Sequence, residues 1–272
     1  MTLDQLPAQQ LHCQTMGTGP RRVMALHCTM AHSGAWRGLS EALEGTAEVH
    51  ATDMLNHGQS PDWNGQGDFQ DAIVRGVTSH MDGGSWDIVG HSFGATAALR
   101  LAVLHPERVR TLTLIESVYF APVGQDAPEL VEAQQARSAP FNAALEAGDF
   151  PLAARIFNRG WGGGEGGPPW DSLPEKLRAA MARGVQIVPH CAPAIIDDCH
   201  GLLAPGVLDR VACPVLLLRG GETAPIIAEV NTGLARRIPG AVNAVVPGAG
   251  HMLPITHPGD TAAHLRALWD SA

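Results

Sequence analysis

The chain has 272 residues, 45% of them hydrophobic, which is enough for one large domain with a substantial buried core. Charged residues make up 17% and the net charge is −9, so the basic stripe that phosphate backbones require is missing and nucleic-acid binding is not expected. No apolar run approaches the roughly 20 residues of a membrane span, and the five cysteines (Cys13, Cys28, Cys191, Cys199 and Cys213) are odd in number and irregularly spaced, which fits reduced thiols rather than a disulfide framework.

In chain order, Met1 to Leu11 lacks the basic stretch of a signal peptide, and a cytoplasmic location is expected. Val23 to Leu26 reads as a short strand running into His27-Cys28-Thr29, with Trp36 in a helical stretch after it. Val49 to Thr52 is a second strand, ending in Asp53-Met54-Leu55-Asn56-His57-Gly58-Gln59-Ser60. Trp86 to Val89 is a third, followed by Gly90-His91-Ser92-Phe93-Gly94 and an alanine-rich helix, Ala95 to Leu104. His105-Pro106-Glu107-Arg108-Val109 leads into a strand from Thr111 to Ile115. From Ser117 to Pro205 the strand pattern stops, and helical stretches replace it at Pro128 to Arg137, Phe141 to Ala147, Pro151 to Phe157 and Leu173 to Arg183. A glycine-proline segment, Gly160 to Pro169, interrupts them and reads as a surface loop or a hinge. Strands return at Val215 to Leu218 and Val242 to Val246, and Gly248-Ala249-Gly250-His251-Met252-Leu253-Pro254 closes the series. Strands alternating with helices predict a mostly parallel sheet covered on both faces.

The pentapeptide around Ser92 has the form G-x-S-x-G between a strand and a helix, the setting of a nucleophile elbow. Together with the His27 loop, the Asp53 to Ser60 turn, the His105 to Val109 segment and the late Gly250-His251 turn, it resembles the α/β-hydrolase family in five motifs and in their order. The resemblance covers residues 20–117 and 206–270. It implies a mostly parallel sheet flanked by helices, with a helical cap inserted after the sixth strand. The core is expected at 1–117 and 206–272 and the cap at 118–205.

A serine hydroxyl is a poor nucleophile at neutral pH and needs a histidine to take its proton. Ser92 is the candidate nucleophile, and His251 is the candidate base, in the chain order serine, acid, histidine that this fold uses. In most of the resembling family an aspartate follows the seventh strand, whereas here that strand leads into Arg219-Gly220-Gly221-Glu222-Thr223-Ala224-Pro225, with Ala224 at the aspartate's position. Two carboxylates are available, Glu222 in that loop and Glu116 after the sixth strand. Glu116 is favoured because it emerges at the same edge of the sheet as Ser92, the alternative position used by some dehalogenases of the family. The backbone N–H groups of Thr29 and Phe93 are the expected oxyanion donors. Cys28 stands where the family has glycine, which puts the loop's backbone conformation in question, and Asn56 replaces glycine in the next turn, where it tolerates a left-handed backbone.

Trp36, Tyr119, Phe157, Trp161 and Met252, with Phe120 and Trp170, are expected to line an apolar pocket. No metal is expected, because Cys191 and Cys199-His200 do not match zinc-ligand spacing, and no cofactor is required. The resemblance thus implies a serine hydrolase acting on the ester or lactone of a small, fairly apolar molecule. A catalytically silent ligand-binding homologue, a C–C bond hydrolase and a perhydrolase remain alternatives on the same scaffold.

Overall fold

The computed structural model describes residues 7–161 and 169–271. Seven strands, β1 (Cys13–Met16), β2 (Arg21–Leu26), β3 (Ala47–Thr52), β4 (Trp86–His91), β5 (Val109–Ile115), β6 (Val215–Gly220) and β7 (Val242–Val246), form one sheet in the order β1-β3-β2-β4-β5-β6-β7. All neighbours are parallel except β1, which runs antiparallel to β3 with Cys13 opposite Thr52. Sequence patterning does not reveal β1, because its residues Gln14 and Thr15 sit on a partly exposed edge strand with no apolar run.

Successive side chains of a strand point to opposite faces, and the core divides on that period. Met24, Leu26, Ile88, Leu112, Leu114 and Leu217 face one layer, while Val23, Ala25, Val89, Ile115, Leu216 and Leu218 face the other. Helices α2 (Phe69–Thr78), α3 (Phe93–Leu104) and α9 (Pro225–Arg237) cover the first face, and α1 (Arg37–Ala42) and α11 (Pro258–Asp270) the second. A four-residue helix, α10 (Leu253–Thr256), precedes α11.

Between β5 and β6 the described residues hold helices α4 (Ala121–Asp126), α5 (Pro128–Glu146), α6 (Phe150–Trp161), α7 (Glu175–Gly184) and α8 (Val188–Ile195), and no strand. The insertion leaves the fifth strand of the described chain, where the family resemblance counts a sixth. The two stretches expected at 128–137 and 141–147 are one helix that runs through Pro140. Helices α5 to α7 build an apolar cluster of their own around Phe141, Ala144, Ala153 and Ala154. Helices α4 and α8, by contrast, send Val123 and Cys191 into the cluster beneath α2 and α3. Of the glycine-rich segment 160–169, residues 162–168 lie outside those described. Among the described residues no helix is long and apolar enough to cross a membrane.

Candidate active site

Because β2, β4, β5, β6 and β7 are parallel, the loops that leave their carboxyl ends gather at one edge of the sheet, where ligands bind in open α/β folds. Ser92 follows β4 directly, with φ 57° and ψ −119°, a strained conformation for a residue with a side chain. It is tolerated because its surroundings over-determine it. A Cβ on Gly90 would run into the backbone of Gly94 and Ala95, and one on Gly94 would run into the carbonyls of Leu26 and His27. Both glycines are therefore required by close approach of neighbouring backbone. Ser92 N–H donates to the Ile115 carbonyl (2.9 Å), and its hydroxyl makes no helix-capping bond.

That hydroxyl instead meets His251. The Ser92 Oγ lies 3.1 Å from His251 Nε2, and His251 Nδ1 lies 3.0 Å from Glu116 Oε2. A carboxylate only accepts, so Nδ1 carries the proton and Nε2 presents its lone pair to the serine. Glu116 is fully buried at φ 52°. Its Oε1 accepts the Gly220 N–H (2.6 Å), and its Oε2 accepts the Thr223 hydroxyl (2.5 Å) as well as His251. These donors offset the cost of burying a carboxylate. Glu222 is exposed on the same loop, and Ala224 caps α9. Of the two carboxylates weighed from the sequence, the structure brings Glu116 to the histidine.

His91 is buried beside this chain of bonds. Its Nε2–H donates to the His251 carbonyl (2.7 Å), with the two rings 5.2 Å apart. Burial first, and then the neighbouring His251, pushes its pKa down to about 3, so the ring is neutral. His91 and Thr223 escaped sequence reasoning, since their partners are 160 and 107 residues away; the position of His91 beside the serine was the only available signal.

The loop after β2 supplies the facing wall. The backbone N–H groups of Thr29 and Phe93 hydrogen-bond to no other group among the described residues. Cys28 does not take a positive φ, which answers the question its side chain raised; the left-handed residue of this loop is Met30, at φ 66°. Cys28 is buried, and burial pushes its thiol pKa up to about 12. Asn56 does adopt the left-handed backbone expected of it, at φ 65°.

A cavity of about 260 Å³ opens onto Ser92 and His251. Phe157, Trp161 and Met252 line it, as expected, together with Cys28, Met30, His32, Asn158, Leu177, Met181 and Ile255. The Trp161 ring lies 4.8 Å from that of His251. Trp36, Tyr119, Phe120 and Trp170 do not line the cavity, and these expectations are corrected. Trp36 ends a short helical turn, Ser33–Trp36, and is buried with Leu39 and Leu253 beneath the sheet. Tyr119 is drawn away by its hydroxyl, which donates to Asp198 Oδ1 (2.6 Å).

Cys191 is buried, whereas Cys199 and His200 come together with Asp68, their ligand atoms within 4.8 Å of one another. The Asp68 carboxylate is already occupied there: it caps α2 through the Asp71 N–H and lies 3.2 Å from His200 and 3.6 Å from the Arg100 guanidinium.

The family profile described as the alpha/beta hydrolase fold matches residues 21–258. Among curated proteins, Lipase LipV of Mycobacterium tuberculosis is 27% identical over 266 residues, covering 94% of this chain and 97% of that protein. The pimeloyl-acyl-carrier-protein methyl ester esterase of Chromobacterium violaceum is 28% identical over 261 residues, covering 92% and 94%. A solved thermophilic esterase from Thermogutta terrifontis superposes with a TM-score of 0.66 at 20% identity, over 96% of this chain and 93% of that one.

Proposed function

The chain belongs to the alpha/beta hydrolase fold family, and from that premise we propose that it is a serine hydrolase cleaving an ester or lactone of a small, fairly apolar molecule through an acyl-enzyme on Ser92. The observation that carries this reading is the continuous chain from Ser92 Oγ through His251 to the buried Glu116. Relatives named as a lipase and a methyl ester esterase support ester hydrolysis. The apolar lining of the cavity supports an apolar substrate.

In this scheme Ser92 Oγ attacks the carbonyl carbon while His251 Nε2 takes the hydroxyl proton. Glu116 holds the Nδ1–H tautomer and stabilises the imidazolium that forms. The negative charge that develops on the carbonyl oxygen is met by the N–H groups of Thr29 and Phe93, fixed dipoles that need no reorganisation. Collapse breaks the bond to the leaving oxygen, which takes the proton from His251 Nε2 and departs as an alcohol; in a lactone it stays attached to the acyl chain. Water, deprotonated by the same nitrogen, then attacks the acyl-enzyme, and the acid is released as Ser92 recovers its proton. Every proton passes between the chain's own side chains, the leaving oxygen and water.

The insertion 118–205 acts as the cap that roofs the cavity, a reading supported by Phe157, Trp161, Leu177 and Met181 reaching into it. A cytoplasmic setting is part of the proposal, supported by five cysteines that are all unpaired.

A fluorophosphonate probe followed by peptide mapping, run beside a series of p-nitrophenyl acyl esters and lactones, tests the reading. Labelling at Ser92 with turnover of at least one substrate is expected. A protein that neither labels nor turns over any substrate would instead be a silent ligand-binding homologue.

A further inference from the structure

Residues Cys28 to Ala31 form a β-turn closed by the Ala31 N–H on the Cys28 carbonyl (3.1 Å), with Met30 at its third position. The positive φ there, 66°, is a conformation that turns normally assign to glycine or asparagine. A methionine keeps it only if something else holds the backbone. The Met30 N–H donates to His57 Nε2 at 3.0 Å. His57 Nδ1 in turn lies 2.8 Å from the Leu55 carbonyl, which can only accept, so Nδ1 carries the proton and Nε2 is the acceptor. The ring is buried, which drives its pKa down to about 3 and keeps it neutral.

The other flank of Thr29 is held by a second buried ring. His27 Nδ1–H donates to the Cys28 carbonyl (2.7 Å), and His27 Nε2 accepts the Met54 N–H (2.9 Å). The two imidazoles meet edge to face, their centroids 5.1 Å apart. The Thr29 N–H belongs to the peptide whose carbonyl His27 holds, the next N–H along the chain is the one His57 holds, and Thr29 itself lines the cavity. Helix α7 closes the arrangement from outside. A Cβ on Gly184 would come within 2.7 Å of His57 Nε2 and 3.4 Å of Met30 Cα. The adjacent Arg183 pairs with Asp62 (2.7 Å) and donates to the carbonyls of Gly58 and Ser60, tying α7 to the turn that carries His57.

We propose that His57 is a positioning residue for the hydrolytic reaction: by accepting the Met30 N–H it locks the left-handed turn that aims the Thr29 N–H at the substrate's carbonyl oxygen. This rests on the serine hydrolase reading above. Its consequence falls on the transition state, because the Thr29 N–H is needed most when the oxygen carries charge, and much less in ground-state binding.

The test replaces His57 by Phe, which keeps a ring without an acceptor, and by Gln, whose amide oxygen can still accept. The parent and both variants are compared on one p-nitrophenyl ester and with a trifluoromethyl ketone, which forms a charged hemiketal on the serine. The expected result for H57F is a fall in kcat of roughly 10²-fold, the scale of one lost oxyanion donor. The ketone's inhibition constant should rise in parallel while KM stays within about threefold. H57Q should recover most of both losses. A folded H57F with kcat and inhibition constant near those of the parent would overturn the proposal.

If H57F does not fold, Gly184→Ala carries the test, since its methyl presses on the same nitrogen. The same paired fall is expected, and a folded G184A unchanged in both quantities would also overturn it. An active parent with unaffected variants sinks only the role of His57, whereas a parent inert toward every ester sinks the hydrolase reading and this role with it.

Discussion

At the scale of single residues the site is a set of buried polar groups whose partners are spread along the whole chain. Ser92, Glu116 and His251 are separated by up to 159 residues, yet each sits one to five residues beyond a strand end. If Ser92 forms the acyl-enzyme, Ser92→Ala should lower ester turnover by about 10⁴-fold or more without loss of folding, since the residue lies at a turn. Activity above a tenth of the parent in a clean preparation would rule the covalent route out. Glu116→Gln should lower kcat by roughly 10²–10⁴-fold, because an amide cannot stabilise the imidazolium. Glu222→Gln should leave kcat within about threefold, as its side chain is exposed. Equal losses in the two glutamine variants, measured under the same conditions, would count against Glu116 as the orienting acid.

At the scale of elements the two ends of the sheet do different work. The carboxyl ends of β4, β5 and β6 converge on the site, while the opposite ends are joined by one buried carboxylate. Asp87 on β4 pairs with Arg21 of β2 (2.9 Å) and Arg110 of β5 (2.5 Å), and accepts the Thr111 hydroxyl (2.7 Å). Removing the charge leaves two guanidiniums without their partner, though both reach partly into water. Asp87→Asn is therefore expected to cost about 3 kcal/mol of unfolding free energy, near the lower end for a broken buried pair. It should leave kcat unchanged, since Asp87 stands five residues before Ser92, roughly 16 Å along an extended strand. Denaturant unfolding and steady-state kinetics on the same sample check both halves. A drop in kcat without a drop in stability would contradict the division of labour between the two edges. Among the helices of the insertion, α5 to α7 share an apolar cluster of their own, with residues of α6 and α7 lining the cavity, whereas α4 and α8 contribute to the core.

At the scale of the whole molecule, three buried imidazoles make folding sensitive to mild acid. His27 is pushed down to about 4, and His57 and His91 to about 3, in each case chiefly by burial. The unfolded chain binds protons on these rings near their ordinary value of 6.5, and the folded chain does not. Stability is therefore fully present above pH 6.5 and is lost as the pH falls from there toward 4, by about 1.4 kcal/mol per ring and pH unit. The buried carboxylates act lower: Asp53 and Asp87 are held below the usual aspartate range by their hydrogen bonds, so their contribution is lost only under stronger acid. Unfolding free energy measured at pH 7 and pH 5.5 should differ by roughly 4 kcal/mol, and in H57Q the difference should shrink by about a third. A flat profile between those two pH values would mean that the rings are not buried as neutral groups.

The order of the strands, the nucleophile turn and the terminal histidine were legible in the sequence because each depends on local pattern: apolar runs, glycines flanking Ser92, and a glycine before His251. The sequence favoured Glu116 over Glu222 by its place at the end of a strand, but which carboxylate lies beside the histidine is a matter of strand adjacency and of the Gly220 and Thr223 donors. Trp36 and Tyr119 were assigned to the pocket from aromatic character alone, and the fold sends one beneath the sheet and the other to Asp198. The edge strand β1, the left-handed Met30 and the His57 imidazole that braces it have no local signature. They exist only where distant backbone groups are brought together and must be paired once water is excluded, and that pairing is decided by the tertiary structure.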